Sequence, residues 1–392
     1  MRYDFDTPID RRGTSSFKWD ANDVYYGRAD VIPMWVADMD FACAPAIVDA
    51  VQKRAHHPVY GYTIRQDDYY EAVMGWLQRR HGFAVKKEHL CFAPPGVIYA
   101  MLVVLRLITQ PGDKVLIPMP NYDPLFDMVQ KSGRVLVESP MVWRDGRYTF
   151  DFDDLAAKAA GGVKALVLSS PHNPTGRVWT REELRKIADI CLEHGVFMMI
   201  DEIHCDFVPK DHPHVAFGTL GEDVLRQSMV CYSANKGFNL GGLGMSTIVL
   251  ADDDLRARFI DEMLVAQTRL DTIFGAAALI AAYNEGEEWL DQAIEYVQEN
   301  KKYADDFLRQ RVPEIRMIPS EGTYLVWLDC SGLGLKGKDL ERFLVDQAGV
   351  AFCAGYEFGA EGESFVRMNV ACPRCTLTEA LTRVETAIKA RR

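Results

Sequence analysis

The chain has 392 residues, 48% of them hydrophobic and 11% aromatic, enough for two or three globular units and a large core without disulfide or metal staples. Its 56 acidic and 44 basic residues give a net charge of −12 with no basic block or arm, which argues against nucleic acid as the main ligand. Nine cysteines without a dense framework, the polar start Arg2-Tyr3-Asp4 and a longest apolar run that stops at Arg106 exclude a membrane span and predict a cytoplasmic protein.

In chain order, residues 1–45 are rich in turns and aromatics and read as a segment that packs with a smaller unit or across a subunit contact. Residues 46–285 read as a large α/β domain on a mixed, mostly parallel sheet, because short Val/Leu/Ile/Met runs alternate there with helical patterns. The expected strands are Lys114 to Ile117, Arg134 to Val137, Ala165 to Ser169, Phe197 to Ile200, Met229 to Tyr232 and Met245 to Leu250. Val97 to Leu105 reads as a buried helix, Pro124 to Lys131 as a second, and Thr180 to His194 as a third that opens with Thr180 and Glu183 in capping-box spacing. Two charged amphipathic helices follow at 252–270 and 286–312. Residues 286–392 then supply a strand Tyr324 to Leu328, a helix near 337–348 and a strand Ser364 to Asn369, a smaller α+β domain formed with the N-terminal segment.

Ligands of open α/β sheets bind outside the carboxyl ends of the strands, so the loops there carry the candidates. Pro94-Pro95-Gly96 leads into Val97 and Ile98, where a helix start leaves unpaired N–H groups for an anion. Tyr122 lies on a proline-stiffened turn from which a rigid ring can stack on a planar ligand. Asn173, in Pro171-His172-Asn173-Pro174, can donate to a ligand oxygen, although turn chemistry alone accounts for most of that loop. Asp201 directly follows the apolar Val196 to Ile200, and a carboxylate in low dielectric needs a partner such as a cationic ring nitrogen. Lys236 sits in a small polar turn with four glycines between 237 and 244; a surface charge is the commoner role for a lysine, but burial there would create a Schiff-base nucleophile. Arg367 and Asn369 share one face of a strand, where the arginine fork matches a carboxylate.

Three other patterns invite different readings. His204, Cys205 and Asp206 suggest a metal, but neighbours on an extended chain point to opposite faces and no second cluster completes the set, so no metal is expected. Gly332-Leu333-Gly334-Leu335-Lys336-Gly337 satisfies a dinucleotide pattern, yet too little chain follows for paired βαβ halves, and it reads as a strand-to-helix connection. Cys372-Pro373-Arg374-Cys375 has redox spacing without a thioredoxin-like unit around it.

Taken together in chain order, Gly96, Tyr122, Asn173, Asp201, His204, Lys236 and Arg367 resemble the pyridoxal phosphate enzymes of the aspartate aminotransferase fold type. Asp10-Arg11-Arg12-Gly13-Thr14-Ser15-Ser16-Phe17-Lys18-Trp19-Asp20, Trp35-Val36-Ala37-Asp38-Met39-Asp40-Phe41, Tyr60-Gly61-Tyr62-Thr63 and Asp201-Glu202-Ile203-His204 resemble, more narrowly, the cystathionine β-lyase branch that includes the MalY and PatB proteins. The likeness runs from about residue 3 to 390.

The resemblance implies a pyridoxal 5'-phosphate cofactor bound to Lys236, which would also take the substrate Cα proton. It implies that Asp201 pairs with the pyridine nitrogen, that Tyr122 stacks on the ring, and that Asn173 and His204 hydrogen-bond its hydroxyl oxygen. Gly96, Val97, Ile98 and Ser233, with Tyr62 from a neighbouring subunit, would hold the phosphate, which makes the expected assembly a homodimer. Arg367, with the backbone near Ala37, would grip the carboxylate of an amino-acid substrate. The implied activity is β-elimination from L-cystathionine or a related cysteine S-conjugate to pyruvate, ammonia and a thiol. The alternatives are an aminotransferase of class I or II, a regulatory protein that keeps the fold, and a nicotinamide dehydrogenase. Two departures bear on this: Asn235 stands where a serine or threonine commonly precedes the lysine, and Gly244 stands where aminotransferases often carry a phosphate-binding arginine, which favours the lyase branch.

Overall fold

Seven short runs rich in Val, Leu, Ile and Met form one sheet in the computed structural model, which describes residues 2–391. They are β1 (Leu90–Phe92), β2 (Lys114–Met119), β3 (Val135–Pro140), β4 (Val163–Ser169), β5 (Phe197–Asp201), β6 (Ser228–Tyr232) and β7 (Thr247–Leu250). Their spatial order is β1-β7-β6-β5-β4-β2-β3; β6, β5, β4, β2 and β3 run parallel, while β7 is antiparallel to both of its neighbours. Successive residues enter two different cores, with Leu116, Leu168, Met198 and Ile200 on one face and Ile117, Val167 and Met199 on the other. Both faces are dry, so the strands read as apolar runs rather than as alternating patterns.

The covering helices are α1 (Asp67–His81), α2 (Val97–Ile108), α3 (Asp123–Lys131), α4 (Arg181–Glu193), α5 (Asp253–Val265), α6 (Ile273–Glu285) and α7 (Glu287–Arg311). Residues from α2, α3 and α5 fill one core, and residues from α1, α4, α6 and α7 fill the other. α4 opens with the full capping box, in which the Thr180 hydroxyl and the Glu183 carboxylate each accept from the other's backbone N–H. A second, fully antiparallel sheet has the order β8-β9-β11-β10, from β8 (Arg316–Met317), β9 (Leu325–Asp329), β10 (Cys353–Ala354) and β11 (Phe365–Asn369). Ile32–Pro33 pairs in parallel with Val350–Ala351, which ties the N-terminal segment to the C-terminal part of the chain.

Several local expectations need correction. β7 starts at Thr247 rather than Met245, because Met245 and Ser246 still carry the turn: the Met245 carbonyl accepts from Ser233 and the Ser246 hydroxyl donates to Ala93. α5 ends at Val265, where Gln267 takes a positive φ of 56°. The helix expected near 337–348 is α-helical only over Gly337–Arg342 and continues as a π-turn over Phe343–Gln347. The 332–337 glycines answer to sterics: a Cβ on Gly332 would come within 2.6 Å of the Glu314 carbonyl, and Gly334 and Gly337 have positive φ. Cys372 is buried and Cys375 exposed, and both are free thiols.

The N-terminal segment is fastened by charge. Lys18, 1% exposed, donates to the Asp40 carboxylate at 2.6 Å, and Arg11 and Trp19 donate to the same carboxylate at 2.7 and 2.9 Å. Burial pushes the Asp40 pKa up, but Lys18, Trp19 and Arg11 outweigh it and the net shift is downward. The Asp40 contribution to stability is therefore complete above the ordinary carboxylate range and is lost as pH falls through the lowered folded value. Removing one partner of a buried pair strands the other charge, so Asp40→Ala should lower unfolding stability by about 3 kcal/mol in urea titrations at neutral pH. A change below about 0.5 kcal/mol would show that the segment is not held by this cluster.

Candidate active site

The parallel strands all end on one side of the sheet, and their first turns meet there. Ser169, Asp201 and Cys231 are register partners at the ends of β4, β5 and β6, so the loops after these strands lie side by side. The cavity they form, of about 530 Å³, is lined by Gly96, Val97, Ile98, Tyr122, Asn173, Asp201, His204 and Lys236, together with Ala37 and Arg367. Ten of the twelve residues expected from the sequence thus meet in one place.

Each residue is set by local chemistry. Gly96 precedes α2 with φ +120° and ψ 175°, a conformation that requires glycine, and a Cβ there would meet no protein atom within 4 Å. Its own N–H bonds the Ala93 carbonyl at 2.9 Å, so it is not a free donor; the unpaired donors of this helix start are Val97, Ile98 and Tyr99, of which the first two line the cavity. Tyr122 is the N-cap residue of α3, in a turn pinned by Asn121, whose side chain accepts from Tyr122 N–H at 2.8 Å and from the Ser169 hydroxyl at 3.1 Å.

The Asp201 carboxylate accepts from the Ile203 N–H at 3.0 Å, and among the described residues no lysine or arginine forms an ion pair with it. Burial pushes its pKa up to about 6. His204, three residues on, has a buried Nδ1 without a partner, and burial, with the charges of Lys236 and Arg367, keeps the ring neutral.

Lys236 lies in a one-turn helix, Ala234–Gly237, directly after β6, and not in an irregular loop. Its Nζ donates to the Ala37 carbonyl at 2.6 Å, an acceptor shared with the Tyr324 hydroxyl at 2.9 Å. Burial, and next the Arg367 charge, lower the amine to about 8. Arg367 is buried on β11; Nη1 donates to Asn173 Oδ1 at 3.0 Å, Nη2 to the Trp35 carbonyl at 2.9 Å, and Nε has no partner. With its oxygen so engaged, Asn173 keeps its Nδ2 donors for the cavity.

Two expected residues do not line this cavity, one of them expected only from a neighbouring subunit. The Ser233 hydroxyl donates to the Met245 carbonyl at 2.7 Å and accepts from Asn235 N–H, so it caps the lysine turn and does not line the cavity. Tyr62 is 96% exposed and does not line the cavity of its own chain. Cys205 and Asp206 meet His81 rather than His204: His81 Nε2 and Trp76 Nε1 each lie 2.8 Å from Asp206 Oδ1, and the Cys205 thiol lies 3.5 Å from His81. The sequence reading missed Tyr324, Tyr25, Tyr26, Asp123, Glu341, Cys353 and Glu357, all but Tyr324 in the cavity wall, because they come from separate elements with no motif spacing.

The donor set fits a phosphorylated, cationic aromatic aldehyde. Free first-turn N–H groups suit the phosphate, a buried carboxylate without a cation suits a protonated ring nitrogen, a tyrosine suits the ring face, and a lysine amine near neutrality suits the aldehyde. Comparison with known proteins agrees with the geometry. The family model of class I and II aminotransferases matches residues 29–384. Cystathionine β-lyase PatB of Bacillus subtilis is 38% identical, with 98% of this chain and 99% of PatB covered. Protein MalY of Escherichia coli is 32% identical, with 99% of each chain covered. The crystal structure of cystalysin from Treponema denticola, which contains pyridoxal 5'-phosphate, superposes with a TM-score of 0.96 at 34% identity and full coverage of both chains. The chain belongs to the class I and II aminotransferase family, in the branch that holds PatB and MalY.

The lowered lysine pKa has a direct readout. In cofactor-free protein, modification of Lys236 by an amine-reactive reagent, followed by mass spectrometry, should rise with a midpoint near pH 8. A midpoint at the ordinary lysine value, about 10.4, would mean that the amine is solvated like a surface lysine.

Proposed function

We propose that this chain is a pyridoxal phosphate-dependent carbon–sulfur lyase that acts on L-cystathionine or a related cysteine S-conjugate and releases pyruvate, ammonia and a thiol. The observation that carries the reading is the buried Asp201 carboxylate, without a cationic partner among the described residues, facing the same cavity as the weakly basic Lys236. The names of the PatB and cystalysin relatives, and a Staphylococcus hominis structure described as a C–S lyase at 31% identity and TM-score 0.91, support elimination over amino transfer.

When bound, pyridoxal phosphate supplies a link to the substrate amine and a sink for the electron pair left at Cα. The protein supplies position and proton transfer. Arg367, held by Asn173 and Trp35, presents its fork to the substrate carboxylate, and the Ala37 carbonyl marks where Lys236 Nζ rests. Lys236 would take the Cα proton, the Cβ–S bond would break with its electron pair leaving on the thiolate, and water would hydrolyse the released enamine to pyruvate and ammonia. Neutral His204 and Asn173 would hold the ring hydroxyl, and Asp201 would keep the ring nitrogen protonated.

Incubation with L-cystathionine should give keto acid, ammonia and thiol in equal amounts. Keto acid without ammonia or thiol would move the chain to the aminotransferase reading. Lys236→Ala should lower the rate by about a thousandfold or more while the protein stays folded by circular dichroism.

The same reading makes the enzyme a cytoplasmic homodimer whose subunits complete each other's phosphate sites. Among the described residues no helix is long and apolar enough to cross a membrane. Tyr62, Ile64 and Val265 are exposed at 96%, 71% and 79%, large apolar side chains that contact with a second copy would cover. Loss of one hydrogen bond to a charged group predicts that Tyr62→Phe weakens cofactor binding about tenfold in fluorescence titrations. Unchanged affinity would remove Tyr62 from the phosphate site.

A further inference from the structure

The cavity extends past the residues that the proposed reaction uses. Its lining includes Asp123 from the start of α3, Glu341 from Gly337–Arg342 and Glu357 from the turn after β10, three carboxylates contributed by both sheets' surroundings. Among the described residues none of them forms an ion pair. Glu341 accepts from the Tyr356 hydroxyl at 2.9 Å and Glu357 from the Cys353 thiol at 3.1 Å, neither of which neutralises charge. The cations of the same cavity are already committed: Lys236 to the cofactor, Arg367 to the substrate carboxylate.

Other features of this wall favour a cation. Phe17, Tyr25 and Trp35 line the same cavity and pack on one another with centroids 5.1 to 5.3 Å apart, so aromatic rings share the cavity with the carboxylates. That the cavity these carboxylates line receives a ligand is indicated by Arg367 at 4% exposure and His204 at 5%, the groups assigned above to the substrate carboxylate and the ring hydroxyl, whose Nε and Nδ1 are buried without partners. Burial, and then the charge of Glu357, push Asp123 up to about 6, and the Arg367 charge offsets this only in part.

We propose that Asp123, Glu341 and Glu357 form a specificity-determining wall that selects cysteine S-conjugates whose leaving thiol carries an ammonium group. The proposal rests on the lyase reading for its substrate class but not for its electrostatics. A neutral leaving group loses the attraction, and an anionic one meets three like charges.

The test compares S-aminopropyl-, S-butyl- and S-carboxyethyl-L-cysteine on the holoenzyme. The aminopropyl conjugate should have a kcat/KM about tenfold above the butyl conjugate, with the difference mainly in KM, and the carboxyethyl conjugate should fall below both. In the variant carrying Asp123→Asn, Glu341→Gln and Glu357→Gln, the aminopropyl-to-butyl ratio should fall toward one. Ionic strength should compress the same ratio in the unaltered enzyme, which keeps the test valid if the triple variant misfolds. Calorimetry with analogues in which a methylene replaces the sulfur, and which cannot lose a thiolate, should give dissociation constants in the same order. Equal kcat/KM for the three conjugates, or a ratio that survives both charge removal and salt, overturns the proposal while leaving the lyase reading intact. The expected order of dissociation constants without thiol release from any conjugate supports the wall and overturns the lyase reading instead.

Discussion

One carboxylate sets the terms for this molecule. Asp201 ends β5, a strand whose preceding residues are apolar and buried, and the carboxylate has one backbone donor and no cationic partner among the described residues. An ionised carboxylate in such surroundings is costly, and its pKa rises to about 6 in response. A sequence selected for stability alone would place an amide or an apolar residue there. Keeping the charge makes sense if a cation from outside the chain occupies the space in front of it, and the other groups of the cavity are arranged around that space.

The second constraint is that two sheets must meet for the site to exist. Asn173 follows β4 of the large sheet and Arg367 lies on β11 of the small one; their hydrogen bond spans the two. The N-terminal segment joins the same junction, since the Trp35 carbonyl accepts from Arg367, the Val36 and Asp38 carbonyls from Asn369, and the Ala37 carbonyl from both Lys236 and Tyr324. Four successive carbonyls therefore hold the Arg367 end of the cavity, and the cluster of Arg11, Lys18 and Trp19 on Asp38 and Asp40 fixes the segment that carries them. Stability of the N-terminal segment and geometry of the cavity are thus one property.

Much of this was legible because the sheet writes its ends in sequence. A dry strand is an apolar run, and the first polar residue after it marks the crevice, which is how Asp201 and Lys236 stood out. The helix start at Val97 was legible from its prolines and glycine. What was not legible depends on contacts between distant elements. The antiparallel direction of β7 leaves no trace in composition, since a strand buried on both faces reads alike in either direction. Ser233 has the right residue type beside the lysine, but only the fold shows its hydroxyl turned to the Met245 carbonyl. Gly96 was expected to donate, yet its N–H closes the turn that leaves the donors of Val97 and Ile98 to the cavity.

The acidic wall belongs to that second group, and its origin explains why the family motifs do not speak to it. Asp123, Glu341 and Glu357 are separated by more than 200 residues at the widest and sit on elements of both sheets' surroundings, in ordinary local settings: a helix start, the last turn of a short helix and an exposed turn. Residues that handle the cofactor must sit at strand ends, where backbone geometry is fixed, so their positions follow from the fold. Residues that meet the variable half of a substrate need only share a cavity wall, and any element that reaches it can supply them. Their charge is tolerated because the wall stays open to solvent on one side, unlike the floor at Asp201. The chemistry of the reaction is therefore built into the buried end of the cavity, and the choice of leaving group is built into the end that water still reaches.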